Sequence, residues 1–420
     1  MTSPATPPLV PDTAVPGDLA HLPRPTTSLR RLLVMLLVAT LGWSLPNTAA
    51  ATLAQALVAE WSPDDKVRLF AVVSTVGAVA AMIATVTAGA LSDRTRSPFG
   101  RRTPWILGGA AVAVPGLLLA GTTTAFVVLV IGYALFQGAM NASIAALNAV
   151  TPDRVPRERL GLASAVSGLG YLLGLVIGTT VAAALIETPG RGLVLVPWVL
   201  LGGALLFVII APDRSSRTEP APTTSWRALL PPRDRDFLLA FLGRFLTLFA
   251  LLLFSVYSLY ICTDYLHLST IRAGEVIALG MLLLAVTAIA STVTGGLVSD
   301  RIGRRKPIVA GASLLMALGA LPVVVAPSVG TLLLFTALAG VGYGAYLSVD
   351  AALMVEVLPS GMDLGKDLGF LTLANTAPVV LAPGAAAVVV SISGYPALFV
   401  ALIVSAVLGG ACILAIRKVR

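Results

Sequence analysis

The chain has 420 residues, 57% of them hydrophobic and only 11% charged, with 28 Lys and Arg against 20 Asp and Glu and a formal net charge of +8. So much apolar surface cannot be enclosed in one water-soluble core of this length, which excludes a soluble globular protein and places the chain in a bilayer. Two cysteines and two histidines make neither a disulfide framework nor a metal centre. The arginines are spread over many short loops and do not form the stripe of a nucleic-acid surface.

Residues 1–28 carry seven prolines and lack the apolar core of a signal peptide, so they read as a disordered tail. A spanning helix needs about 20 mostly apolar residues, and twelve stretches qualify. In order they are Leu32–Ala56, Leu69–Leu91, Trp105–Gly121, Phe126–Ala149, Gly161–Ile186, Leu193–Ile210, Phe237–Ile261, Val276–Val298, Ile308–Ala326, Leu332–Leu358, Leu368–Ile392 and Leu398–Ile416. Between the sixth and the seventh, Ala211 to Asp236 is the one long interior segment without an apolar face, the composition of a linker. The expected organisation is a tail (1–28), a six-helix bundle (29–211), a linker (212–236) and a second six-helix bundle (237–420), an all-α membrane protein.

Twelve spans put both termini on one side. Basic residues resist translocation and collect on the cytoplasmic side. Arg24, Arg30 and Arg31, the clusters at 94–102, 154–159, 214–235 and 301–306, and Lys366, Arg417, Lys418 and Arg420 all fall on the side of the termini. Only Lys66, Arg68, Arg191 and Arg272 fall on the other, and Arg244 lies inside a span. Both termini are therefore expected in the cytoplasm. Arg outnumbers Lys by 24 to 4 and Ala is abundant, a GC-rich codon signature that points to a bacterial inner membrane.

The sequence Gly89-Ala90-Leu91-Ser92-Asp93-Arg94 returns as Gly296-Leu297-Val298-Ser299-Asp300-Arg301, each copy where an apolar run meets a basic loop. The same offset maps Pro152 onto Pro359 and Arg159 onto Lys366. A bundle built twice in parallel is the usual plan of a transporter. Six plus six spans, parallel copies and an interior linker together resemble the major facilitator superfamily, over Leu32 to Arg420. In that superfamily the loop after the second helix of each half carries a Gly, an Asp and a basic Gly-Arg-Arg cluster. Here the first copy is Gly89, Asp93, Arg94, Gly100, Arg101 and Arg102, and the second is Gly296, Asp300, Arg301, Gly303, Arg304 and Arg305. The longer first loop, Ser92 to Trp105, with Pro152 to Arg159 and Gly365 to Asn375, looks like sucrose/proton symporters and glycoside-pentoside-hexuronide cation symporters. One departure is visible. The plant sucrose carriers of that branch have an acidic residue near the end of helix 4, where this chain has Asn148 as the nearest polar residue.

The resemblance implies a cytoplasmic gate: Asp93 meeting the start of helix 11 and Lys366, Asp300 meeting the start of helix 5 and Arg159, and Gly89 and Gly296 letting the opposing helices approach. Arg94, Arg101, Arg102, Arg301, Arg304, Arg305 and Glu356 complete that set. A bland alternative is that the arginines are only positive-inside anchors. Within the hydrocarbon, Arg244 and Asp350 are the ionisable residues clearly away from span ends; each is expensive alone, and their similar depth predicts a pair. Such a pair either couples transport to a proton through Asp350 or only fixes helix packing. The helices that line the cavity of the resembled fold carry Trp43, Asn47, Gln137, Asn141, Tyr257, Tyr343, Tyr346 and Asn375, the hydroxyl-matching groups and aromatic faces of a sugar site. Tyr260, near the outer end of its span, reads as an interfacial belt residue.

The leading expectation is a proton-coupled symporter of a di- or oligosaccharide or related glycoside. Efflux of a drug or secondary metabolite is one alternative; the absence of any proline between Pro156 and Pro189 disfavours it, because drug/proton antiporters of the resembled superfamily carry a Gly-Pro within a similar glycine run in this helix. A non-transporting substrate sensor is the other. No span holds a catalytic or metal-binding spacing, so no enzyme activity and no cofactor are expected. The expected partners are a small-molecule substrate, a proton and the lipid bilayer, for a chain acting as a monomer.

Overall fold

The computed structural model describes residues 27–217, 234–302, 306–357 and 364–417; the side chains of Arg157, Asp300 and residues 350–357 and 364–373 lie outside the described set. The regular elements among the described residues are all helical, as hydrocarbon requires of any spanning segment that is not a closed barrel, since each backbone N–H and C=O must find its partner within the chain. They are α1 (Leu29–Trp61), α2 (Lys66–Arg94), α3 (Thr103–Thr122), α4 (Phe126–Arg154), α5 (Leu160–Ala184) and α6, which runs as Pro189–Leu195 and Pro197–Ile210. After the linker come α7 (Arg235–Val256), α8 (Thr270–Ile302), α9 (Lys306–Val325), α10 (Val329–Val357) and the segment Leu364–Leu414. Gly394, with φ 74° and ψ −176°, divides that segment into α11 (364–393) and α12 (395–414).

Among the described residues eleven helical stretches are long and apolar enough to cross a membrane, and the last spans 41 residues, Ala374–Leu414. At 1.5 Å per residue that is about 60 Å, twice the roughly 30 Å of hydrocarbon. The break at Gly394 makes it two crossings, hence twelve. Several helices outrun their expected ends. α1 and α8 have 33 residues each, because a helix continues past the apolar edge wherever its polar end residues remain good helix formers. α7 starts at Arg235, two residues early, because the Asp234 carboxylate accepts the N–H groups of Asp236 and Phe237 at 3.0 and 3.1 Å, capping two donors that a helix start leaves open.

The duplication seen in the sequence is repeated in the packing. α1 packs on α5 and α6, and α4 on α2 and α3; correspondingly α7 packs on Leu364–Leu414, and α10 on α8 and α9. The halves meet along α5 with α8 and along α2 with Leu364–Leu414. Tyr257 lies within hydrogen-bond distance of both Val67 O and Pro383 O, so the arm that faces α2 is α11. Exchanging α2 with α8 and α5 with α11 turns one packed pair into the other.

Close crossings set the geometry inside each half. A Cβ on Gly170 or Gly178 of α5 would come 2.6 Å from the backbone oxygens of Leu37 or Leu45 in α1, and one on Gly174 would come 2.6 Å from the Ser44 Cβ. Ser44, fully buried, donates to Tyr171 O at 2.7 Å across the same crossing. With no hydrophobic force between helices in lipid, such backbone approach is what holds them. Gly168, on the same helix, has nothing described within 4 Å. Gly178→Ala is expected to lower the thermal unfolding midpoint in detergent, by the equivalent of about 1–3 kcal/mol of overpacking, while Gly168→Ala leaves it unchanged or raised; equal midpoints would remove the crossing as a determinant.

Candidate functional site

Near the middle of the first half a row of polar side chains runs across α1 and α4. Tyr133, Gln137 and Asn141 are four residues apart and share one face of α4. The Gln137 amide offers two hydrogens, one to Asn47 Oδ1 at 3.3 Å and one to the Tyr133 hydroxyl at 3.2 Å. Asn141 Nδ2 donates to Gln137 O at 2.9 Å and reaches Gln137 Oε1 at 3.5 Å. Gly77 of α2 makes this possible, since a Cβ there would come 2.9 Å from the Tyr133 ring and 3.3 Å from Gln137 Cγ. Trp43, one turn before Asn47, lies with its ring centroid 5.6 Å from that of Tyr171 on α5. Tyr133 is buried, whereas Trp43, Asn47, Gln137, Asn141 and Tyr171 are partly accessible. Among the described residues Asn47 Nδ2 and Asn141 Oδ1 have no partner. Such groups in hydrocarbon are costly unless water or a ligand meets them.

In the second half Arg244 Nε of α7 donates to Asn375 Oδ1 of α11 at 2.7 Å, joining two residues to which the sequence pattern assigns different tasks. Asp350 lies on α10, but its side chain is outside the described residues, and so is the expected pairing with Arg244. Tyr343 is partly buried and Tyr346 fully buried on the same helix. Tyr257 is also fully buried, but where the halves meet. Tyr260 is not a belt residue: it is wholly buried, and its hydroxyl donates to Gln55 O of α1 at 2.9 Å. The chain departs from α-helix directly after it, into a π turn at Ile261–Tyr265, and that change of course turns the tyrosine toward the other half instead of toward lipid.

At the end of the bundle that carries the arginine loops, the basic end, the contacts of the first loop that join described residues lie within one half. The Arg102 guanidinium is 7% exposed and is met by Ser92 Oγ at 2.7 Å, Asp93 Oδ1 at 2.6 Å and Asp153 Oδ2 at 2.9 Å. Arg101 reaches Asp153 Oδ1 at 3.3 Å. Asp93, expected to face helix 11 and Lys366, thus has its described contact inside its own half; the Lys366 side chain is outside the described residues. No described atom comes within 4 Å of a Cβ built on Gly89 or Gly296, and the side chains at the start of α11, the expected neighbour of Asp93, lie outside the described residues. Arg94, Arg159 and Arg301 are exposed. Gly303, Arg304 and Arg305 lie outside the described residues, as do the side chains of Asp300 and Glu356.

Sequence reasoning missed what orders this loop. The first linker residues fold back onto it: Ser97 N–H donates to Ser216 Oγ at 3.1 Å, Ser216 N–H to Ser97 O at 3.1 Å, and Ser216 Oγ to Thr95 O at 3.0 Å. Asp213 accepts the Arg102 N–H at 3.3 Å. Gly100 has φ 87°, and its missing Cβ leaves the room that the Asp213 carboxylate fills. Asp153 was legible as part of Pro152-Asp-Arg; nothing local marked Asp213 or Ser216, because their partners are more than a hundred residues away.

At the opposite end, the far end, hydrogen bonds cross between the halves. Leu259 N–H donates to Gln55 Oε1 at 3.3 Å, beside the Tyr260 and Tyr257 contacts, and Lys66 meets Asp264. The hydrogen bonds that join described residues of the two halves all lie here. A polar mid-span row in one half, an arginine bonded to an asparagine in the other, and described hydrogen bonds that tie the halves at the far end are parts that suit a carrier.

The Major Facilitator Superfamily model matches residues 32–294 and again 276–420. The chain belongs to the major facilitator superfamily. No curated protein matches it. Among solved structures it is similar to a point mutant of the nucleoside transporter NupG, with a TM-score of 0.72 and 14% identity over 92% of this chain and 98% of that one. It is also similar to a bacterial homolog of the human lysosomal transporter Spinster, in an inward-facing and occupied conformation, with a TM-score of 0.68 and 14% identity over 93% and 96%. The same homolog in its unoccupied form gives 0.65 and 17% over 92% and 94%. At these identities the likeness is one of fold alone; it is the family match that makes the chain a multi-pass membrane transporter. The sucrose/proton and glycoside-pentoside-hexuronide branches are not singled out by these matches.

Arg102 is the one cation that meets Ser92, Asp93 and Asp153 together among the described residues. Arg102→Lys, a point charge without the guanidinium fork, is expected to leave Asp93 and Asp153 under-bonded and to lower stability by on the order of 2 kcal/mol. A thermal melt of the purified variant checks this, and a wild-type midpoint would show the network to be dispensable.

Proposed function

We propose that the chain is a secondary active transporter that carries a di- or oligosaccharide or related glycoside together with a proton, by alternating access between bundles 29–211 and 237–420. The observation that supports this most is the mid-span row of Asn47, Gln137 and Asn141, with a donor and an acceptor left over beside the Trp43 and Tyr171 rings. A hydroxyl both donates and accepts, so a polyol satisfies both groups, while the C–H face of a sugar ring rests on the aromatic surface. An apolar drug would leave them unpaired, at about 1–3 kcal/mol for each buried group. Arg244 and Asn375, with Tyr343 and Tyr346 on α10, offer the facing half of the site.

In this reading the basic end is cytoplasmic by the positive-inside rule, in the inner membrane of a bacterium, and the chain works as a monomer. Halves tied at the far end then correspond to a carrier closed to the outside. Asp350 takes up a proton as substrate binds and releases it inward, and Arg244 holds it ionised between cycles. When the outside opens, the cytoplasmic end closes through Gly89, Asp93 and the arginines of the first loop, against Lys366, and through their counterparts Gly296, Asp300, Arg301, Arg304 and Arg305, against Arg159, with Glu356 nearby. Tyr257 serves this reading from the outer closure.

Uptake of radiolabelled disaccharides and glycosides into proteoliposomes under an inward proton gradient tests the reading; no uptake of any of them, beside uptake of a different solute class, would reject the substrate. With a transported sugar in hand, Gln137→Leu is expected to lower kcat/KM by roughly 10- to 100-fold, the loss of one or two buried hydrogen bonds, with the melting midpoint retained. Asp350→Asn is expected to abolish gradient-driven accumulation while leaving sugar exchange between the two sides. Accumulation that still follows the proton gradient in this variant would exclude Asp350 as the coupling group.

A further inference from the structure

At the far end one ion pair joins the halves, and its two members are held very differently. Lys66, the first residue of α2, places Nζ 2.6 Å from Asp264 Oδ1 and 5.2 Å from the centre of the Tyr260 ring. Both partners belong to the second half; among the described residues Lys66 has none in its own. Asp264 sits in the π turn after α7. Its Oδ2 accepts the Tyr395 hydroxyl at 2.8 Å and its Oδ1 the Thr263 hydroxyl at 2.8 Å. Tyr395 follows the Gly394 break and stacks on Tyr265 at 6.1 Å. The carboxylate is therefore held by two hydroxyls of its own half, those of Tyr395 and Thr263, as well as by the lysine.

We propose that Lys66 and Asp264 form an outer latch, with Lys66 the moving bolt and Asp264 the fixed keeper, that sets the balance between far-end-closed and far-end-open states. The inference rests on the alternating-access reading. The neutral contacts of Tyr257, Tyr260 and Gln55 close the same seam, but none of them carries charge. Opening the far end draws Lys66 away, at the loss of one ion pair and one cation–π contact. Asp264 keeps Tyr395 and Thr263, so the keeper is still in place when the halves return. With side chains 17% and 27% exposed, the pair is shielded enough to bias the equilibrium and solvated enough to release.

The test uses the full chain in lipid nanodiscs, with both native cysteines replaced (Cys262→Ala, Cys412→Ala) and spin labels on Arg68→Cys of α2 and Arg272→Cys of α8, side chains that are 78% and 61% exposed at the far end. Double electron–electron resonance then reads the separation of the halves without any substrate. The unaltered pair is expected to show mainly the short distance. Lys66→Met is expected to raise the ratio of long to short distances about fivefold, what ~1 kcal/mol makes, and Lys66→Arg to restore it. Asp264→Asn, which can still accept from Tyr395, is expected to match Lys66→Met. High salt is expected to shift the unaltered protein in the same direction and to leave Lys66→Met where it is. Distance distributions unchanged in both Lys66→Met and Asp264→Asn overturn the latch. Distributions that shift in a protein that takes up no sugar uphold the latch and reject the proposed substrate instead.

Discussion

Hydrocarbon offers no hydrogen bonds, and the rest of this structure follows from that constraint. It confines the spanning backbone to helices, it makes backbone approach at glycine the main way for those helices to hold together, and it turns every mid-span polar side chain into a group that must be answered. At Gly170, Gly174 and Gly178 the first two consequences are visible in one crossing, where α5 lies so close to α1 that no Cβ fits. The third is visible one helix away, where Asn47, Gln137, Tyr133 and Asn141 answer one another in a row. A row that satisfies most of its own groups, and leaves a donor and an acceptor open, is stable enough to exist in the membrane and, in the proposed reading, unfinished enough to receive a ligand.

Among the described residues, the two ends of the bundle divide their polar contacts differently. At the basic end Arg102, Asp93, Asp153, Ser92 and the returning linker residues Asp213 and Ser216 bond within the first half. Such bonds stiffen a lobe and say nothing to its neighbour. At the far end Lys66, Asp264, Gln55, Tyr257 and Tyr260 bond from one half to the other. Contacts within a lobe survive a rocking motion, and contacts between lobes must be remade. Under the proposed alternating access, such an arrangement keeps the described loop contacts through the cycle while exchanging a small number of bonds, each worth about 1 kcal/mol, which suits an equilibrium that has to run both ways.

Composition and charge determined a great deal about this protein by themselves. Apolar runs of spanning length give twelve crossings because the length is set by the bilayer and not by tertiary contacts. The recurrence of Gly89–Arg94 as Gly296–Arg301 gives the duplication because it is linear in the chain, and the superfamily follows from the two together. Gln137 and Asn141 were legible as one face because helical spacing is a local property.

Tertiary structure decided what no local pattern encodes. That Asp93 meets Arg102, that Tyr260 faces α1 and not lipid, that Arg244 bonds Asn375, and that Asp213 fills the space beside Gly100 all depend on which helices pack together. By sequence Lys66 is one of four basic residues on the wrong side of a charge rule; the fold gives it a carboxylate 198 positions away. A charge at a helix end has a place in sequence but acquires a partner only where two lobes meet, and the meeting is set by the packing of α2 on α11 and α5 on α8, which neither half can form without the other.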